Sequence, residues 1–156
     1  MASNYKPVGG VERAILYPAE AVQTALFSSE GCCATLVGEA LEVVLLDDAS
    51  SYDEVVECRN GIAKIAHRLN LVADRGEAKP WLDADFLERA SIEGVVAVVE
   101  LADGRRVLVG YSLRFGCEQP LRLRGLTSAS GSKLLDKPTV ALQLVSYDTE
   151  FSCEMN

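Results

Sequence analysis

The sequence predicts a mainly β fold (α+β), an antiparallel β-sandwich or partly closed barrel with one or two short helices. Three observations carry that expectation. Apolar residues alternate along most of the chain with the period of a half-buried strand. Two dipeptides, Asn60-Gly61 and Asp103-Gly104, stand between β-like runs, where positive φ at the central residues closes a hairpin. Strands and long helices nowhere alternate, so a parallel sheet has no crossovers to build it.

The elements follow in order. Residues 1–10, with Pro7, Gly9 and Gly10, form an N-terminal arm, leaving residues 11–156 as a single β-rich domain. Residues 11–17 make a first strand, ended by Pro18, whose fixed φ suits the first turn of a helix. In residues 19–27 Val22, Ala25 and Leu26 fall at i, i+3 and i+4, which fits a short helix or an irregular turn. Residues 34–46 form one strand bent near Gly38, or two short strands. Residues 52–58 and 62–73 pair as a hairpin across Asn60-Gly61. Lys79-Pro80-Trp81-Leu82-Asp83 opens the one clear helix, residues 83–91, capped by Asp83 and carrying Phe86, Leu87 and Ala90 as a short apolar stripe.

The clearest pair comes next, residues 94–101 and 106–111 around Asp103-Gly104. Residues 120–126 then alternate Leu121 and Leu123 with Arg122 and Arg124, giving one buried and one charged face. Residues 127–137 form a Ser/Gly-rich loop expected to be mobile. In residues 139–151 Val140, Leu142 and Leu144 share one side, with Gln143 and Tyr147 opposite. The sum is about seven to nine strands.

The 156 residues carry a net charge of −8, with 49% hydrophobic and 6% aromatic residues. That length supports a real core without disulfides or a structural metal. The acidic balance argues against tight nucleic-acid binding, which needs clustered Lys and Arg to release counterions. No apolar run reaches a membrane span and the first residues lack a signal-peptide core, so a cytoplasmic location and no membrane partner are expected.

The catalytic inventory is thin. The five cysteines, Cys32, Cys33, Cys58, Cys117 and Cys153, include one vicinal pair and no Cys-x-x-Cys, so no zinc site is expected and the thiols are read as small buried hydrophobes. Cys117 stands apart, after Phe115-Gly116 in a turn, but a nucleophilic thiol needs a base and His67 is the only imidazole. His67 shares its strand parity with Ile65, Leu69 and Leu71, which marks a core-edge or interface residue. Asp47-Asp48, Asp53-Glu54 and Asp83-x-Asp85 match no calcium-loop spacing. No Gly-x-Ser-x-Gly or phosphate-binding glycine pattern is present. No catalytic, cofactor-binding or metal residue is therefore expected, and no cofactor.

Two surface features bear on function. Residues 139–145 and 95–99 are nearly uncharged β-formers, so they are either central strands or edges covered by another copy. Arg105, Arg106, Arg114, Arg122 and Arg124 gather in one half and Asp47, Asp48, Asp53, Glu54 and Glu57 in the other, which suits head-to-tail pairing.

From the helix onward, Trp81-Leu82, Phe86-Leu87, Glu93-Gly94-Val95-Val96-Ala97, Asp103-Gly104-Arg105, Gly110-Tyr111-Ser112, the run from Phe115 to Leu123, and Tyr147-Asp148-Thr149 resemble uncharacterised phage or prophage-associated proteins of Bacteroides-type bacteria. In pattern they are similar to phage tail-tube and related virion proteins. The resemblance covers residues 81–149 and implies a β-sandwich or barrel that stacks as rings, with no catalytic residue. Loops for stacking would come from residues 49–60 and 127–137. The expected function is a non-enzymatic, phage-like structural or assembly protein, tail-tube-like or head-tail, that self-associates, with copies of itself and other virion proteins as partners and the virion as its final location. The alternative is a small-ligand-binding β-barrel module with Tyr111, Phe115, Trp81 and His67 near a pocket mouth.

Overall fold

The computed structural model describes residues 10–130 and 137–155. The proposed arm, apart from Gly10, and residues 131–136 of the Ser/Gly-rich loop lie outside the described residues. Within them the chain forms β1 (Val11–Pro18), β2 (Val22–Ser28), β3 (Gly31–Leu36), β4 (Leu41–Glu42), β5 (Ser51–Arg59) and β6 (Ile62–Asp74). A 3-10 turn (Lys79–Leu82) and α1 (Ala84–Ile92) follow, then β7 (Val95–Leu101), β8 (Arg106–Val109), β9 (Arg122–Ala129), β10 (Thr139–Asp148) and β11 (Cys153–Glu154). The fold is mainly β, with antiparallel sheets packed together and no closed barrel. No described helix is long and apolar enough to cross a membrane.

A five-stranded sheet runs β11-β8-β7-β1-β4, a four-stranded sheet β5-β6-β10-β9, and β2 and β3 pair as a separate hairpin. Period-2 alternation sorts the side chains into layers. Leu16, Ala97, Val99 and Val109 of the five-stranded sheet meet Leu69, Leu71, Leu142 and Leu144 of the four-stranded sheet in one buried layer. Val96, Val98 and Leu108, on the opposite face of the five-stranded sheet, are covered by Phe27, Cys32 and Leu36 of the hairpin. The uninterrupted apolar run of β7 thus has a cause: the strand is buried on both faces. The nearly uncharged strands β7 and β10 are each flanked on both sides, so neither needs a second copy to cover it.

Most local expectations hold for stated reasons. Asn60 and Gly61 have φ of 54° and 78°, the double positive φ of a two-residue hairpin turn, and β5 pairs β6 in register from Ser51↔Asn70 to Arg59↔Ile62. Asp83 caps α1 by accepting from the Phe86 N–H at 3.3 Å. Several expectations fail: eleven strands form among the described residues against the seven to nine expected, and residues 127–129, read as the start of a loop, belong to β9. Residues 19–27 are not a helix or irregular turn, since residues 22–28 form β2, paired with β3 through a register shift between Val22 and Thr24. The bulge spaces the half-buried Val22, Ala25 and Phe27 three and then two apart, so a strand carries a helix-like interval. Residues 52–58 are strand, within β5, as the hairpin reading expects, so most of the 49–60 segment that the resemblance offers for stacking is regular strand.

The chain crosses between the sheets at Pro120-Leu121. Leu121 exchanges backbone hydrogen bonds with Val95 of the five-stranded sheet at 2.7 and 2.9 Å, and the next residue starts β9 of the other sheet. Two glycines make room for this crossing. Gly94 has φ of 84°, and a Cβ there would lie 2.6 Å from Pro120 Cγ; Gly110 has φ of 94°, and a Cβ would lie 2.9 Å from the Val95 carbonyl oxygen. Gly94→Ala and Gly110→Ala should therefore each cost more than about 1 kcal/mol, through positive φ and overlap together. Gly76→Ala, where an added Cβ meets nothing within 4 Å, should change stability by less than about 0.5 kcal/mol. Urea denaturation of the three variants measures the contrast.

Candidate functional site

One end of the layer between the sheets is polar. Along β6 the inward positions run Ala73, Leu71, Leu69 and then His67, and along β10 Val140, Leu142, Leu144 and then Ser146. His67 and Ser146 are buried. Their partners come from distant chain: Tyr52 and Glu54 on β5, the backbone at Gln119, and residues 150 to 152.

The hydrogen bonds fix the chemistry of His67. Its Nε2 lies 2.9 Å from the Glu150 carbonyl oxygen, which only accepts, so Nε2 carries a proton. In the neutral ring Nδ1 then accepts from the Tyr52 hydroxyl at 2.8 Å. Glu54 Oε2 stands 3.4 Å from the same Nδ1 and accepts the Ser152 backbone N–H at 2.7 Å. Ser146 Oγ donates to the Gln119 carbonyl at 2.7 Å, and Asp148 Oδ1 accepts from the N–H groups of Thr149 and Glu150 at 2.6 and 3.2 Å. Burial pushes the Tyr52 phenol well above its ordinary pKa, and the nearby Glu54 carboxylate adds to the shift. The side chains Glu54, His67 and Asp148 therefore hold the backbone that leads into β11, and Tyr52 holds the His67 ring. This arrangement is a clasp for the C-terminal segment.

The structure disperses the other sequence candidates. Cys117 is exposed on the turn closed by the paired Ser112 and Gly116, while both ring nitrogens of His67 are engaged elsewhere. Cys32 is buried, Cys153 half-buried, and Cys33, Cys58 and Cys117 are exposed, so the reading of all five thiols as buried hydrophobes holds for Cys32 alone. Cys33 follows Cys32 on the same strand and must face the other way. No three His, Cys, Asp or Glu side chains converge as a metal site among the described residues, and Asp83 is occupied as a helix cap.

The four residues expected at one pocket mouth do not meet. Trp81 is buried in the central layer, and Tyr111 stacks on Phe27 with ring centroids 6.2 Å apart. Tyr111 and Phe27 line a cavity of about 240 Å³ with Glu150 and Cys153, to which His67, Trp81 and Phe115 contribute nothing. A groove of about 340 Å³ lies instead between β1 and α1, walled by Leu16, Pro18, Leu41 and Phe86, with Glu39 and Arg89 among its polar groups. Sequence reasoning did not find it, because its walls come from four separate segments.

The sheet edges form the remaining candidate surface. Both edges of the five-stranded sheet are strands of two residues, β4 and β11, and short edges offer little to pair with. The four-stranded sheet ends in β5, nine residues long, and β9, eight residues long. Neither has a strand on its outer side among the described residues. The exposed face of β5 carries Asp53 and Glu57, and Glu57 pairs with Arg68 of β6 at 3.2 Å. β9 carries the exposed Arg122 and Arg124, which form no ion pair among the described residues. A register shift against β10 leaves Arg124 without a single opposite residue, and α1 packs beside the strand.

Two outcomes test the clasp. His67→Ala leaves the Tyr52 hydroxyl and the Glu150 carbonyl unpaired, an expected cost of about 1–3 kcal/mol for each group that stays dry, measurable by urea denaturation. Because the Tyr52 pKa is raised on folding, its contribution is complete below about pH 10, the unfolded phenol value. It falls as pH rises beyond that value, since the unfolded chain then loses the proton first. The tyrosinate absorbance difference between wild type and Tyr52→Phe should emerge only above that range, and emergence at the ordinary phenol pH in the folded protein would refute the enclosure. Compared with known proteins, the chain gives no significant match to any family model, curated sequence or solved structure.

Proposed function

We propose that this chain is a structural or assembly protein of phage-like origin, without catalytic activity, that self-associates head to tail through the edges of its four-stranded sheet. The observation that carries this reading is the pair of long, oppositely charged edges on one sheet: β5 with Asp53 and Glu57, β9 with Arg122 and Arg124. Every neighbour in that sheet is antiparallel, so β5 and β9 run in opposite directions. A second copy that lays its β5 along β9 extends the same antiparallel ladder. Opposite charges across such a pair add about 0.2–1 kcal/mol each, and like charges directly opposite cost a similar amount. Pairing β5 with β5 would set acid against acid, so the charges select the heterologous contact, which closes as a ring or continues as a filament.

The phage-like part of the reading rests on the sequence resemblance over residues 81–149, and the net charge of −8 suits a lumen that encloses DNA without gripping it. Other virion proteins are then the expected further partners. Light scattering after size exclusion, over a range of concentrations and with negative-stain imaging, should give masses of several copies and rings or tubes. Exposed charge pairs weaken with salt, so the assembly should loosen as ionic strength rises. Arg122→Glu with Arg124→Glu should yield monomers, and adding Asp53→Lys with Glu57→Lys to the same chain should restore assembly. A strict monomer at high concentration would overturn the proposal.

A second reading, a small-ligand-binding module, is favoured by the groove of about 340 Å³ at Leu16, Leu41, Phe86 and Arg89. It no longer includes a barrel, since no sheet closes. Saturation-transfer NMR with a panel of small amphiphiles tests it: binding that Leu41→Trp abolishes would support it, and no binding at all would dismiss it.

A further inference from the structure

The hairpin β2–β3 and the terminal strand β11 meet on the outer face of the five-stranded sheet. β11 pairs with β8, setting Cys153 opposite Leu108, and Leu108 and Val98 lie beneath the hairpin. Cys32 is fully buried in that cluster, and Cys153 packs against it from the sheet side. The same two strands touch through their backbones, since Cys32 forms a parallel bridge with Met155, two residues beyond Cys153. Burial pushes the Cys32 thiol up to about 12, and the neighbouring Cys153 and Cys33 thiols add to the shift. Cys32 is thus enclosed, with Cys153 packed against the same cluster, while Cys153 is half-buried and open to a small oxidant.

We propose that Cys32 and Cys153 are a modification site, a thiol pair that closes into an intramolecular disulfide under peroxide and staples the C-terminal segment to the hairpin. The Cys153 thiolate attacks the peroxide; an S–O bond forms, the O–O bond breaks, and the departing hydroxide takes a proton to become water. The Cys32 sulfur then attacks the Cys153 sulfenic acid as its proton passes to the leaving oxygen. The S–S bond forms, the S–O bond breaks and a second water leaves. Two thiols are oxidised and one peroxide is reduced to two waters. Since the clasp at His67 and Glu54 holds residues 150 and 152, the disulfide would lock the segment that the clasp positions.

The test uses the full chain with Cys33→Ser, Cys58→Ser and Cys117→Ser, all exposed positions, so that only the two thiols remain. After hydrogen peroxide the intact mass should fall by two hydrogens, peptide mapping should join the segments holding Cys32 and Cys153, and the urea midpoint should rise relative to the reduced sample. Adding Cys153→Ser should leave Cys32 reduced under the same treatment. Sulfenic or sulfinic acid accumulating at Cys153 with Cys32 still free, or covalent dimers as the main product, would overturn the proposal. Circular dichroism of the reduced variant confirms that a negative result comes from a folded chain.

Discussion

The contact between Leu69, Leu71, Leu142 and Leu144 on one sheet and Leu16, Ala97, Val99 and Val109 on the other is the constraint on which the rest depends. Each of these larger side chains contributes about 1.5–3 kcal/mol on leaving water, against a net domain stability of about 5–15 kcal/mol. The layer fixes strand register, because a slip of one residue would turn these side chains to solvent. It also fixes the crossover at Pro120-Leu121, where Gly94 and Gly110 let the backbone pass from one sheet to the other. Where apolar positions give way to His67 and Ser146, the layer needs hydrogen-bond partners: Tyr52 of β5 and the Glu150 carbonyl after β10 supply those of His67, and the Gln119 carbonyl before β9 supplies that of Ser146.

Much of this was legible in the sequence because its causes are local. Asn60-Gly61 and Asp103-Gly104 close their turns through the φ values they tolerate, and Asp83 caps a helix three residues before the N–H it binds. The parity of His67 with Leu69 and Leu71 placed it at the edge of the core. The bulge at Val22 hid β2, since an extra residue erases the alternation by which a strand is recognised. The two-residue strands β4 and β11 are held by their neighbours and have no periodic signal of their own. Arg13 helps hold β4, reaching Glu42 at 2.7 Å and Glu100 of β7 at 2.8 Å. The partners of His67 and of Cys32 lie far along the chain, where no spacing rule reaches.

Charge acquired a location. The sequence divides acidic and basic residues between its halves, and the topology carries part of that division to opposite edges of one sheet. Protection of the other sheet falls to brevity, with β4 and β11 too short to recruit a strand. The uncharged strands that first suggested self-association are interior, with β1 and β8 flanking β7, and β6 and β9 flanking β10. The case for assembly has moved to β5 and β9, edges with no strand beyond them among the described residues, where complementary side chains also occur.

Amide hydrogen exchange, compared between dilute and concentrated protein, addresses that claim residue by residue. Edge-to-edge assembly predicts that protection rises with concentration in β5 and β9 together, while β4 and β11 stay unchanged. Exchange that is independent of concentration in β5 and β9, or protection confined to the edges of the five-stranded sheet, would contradict it.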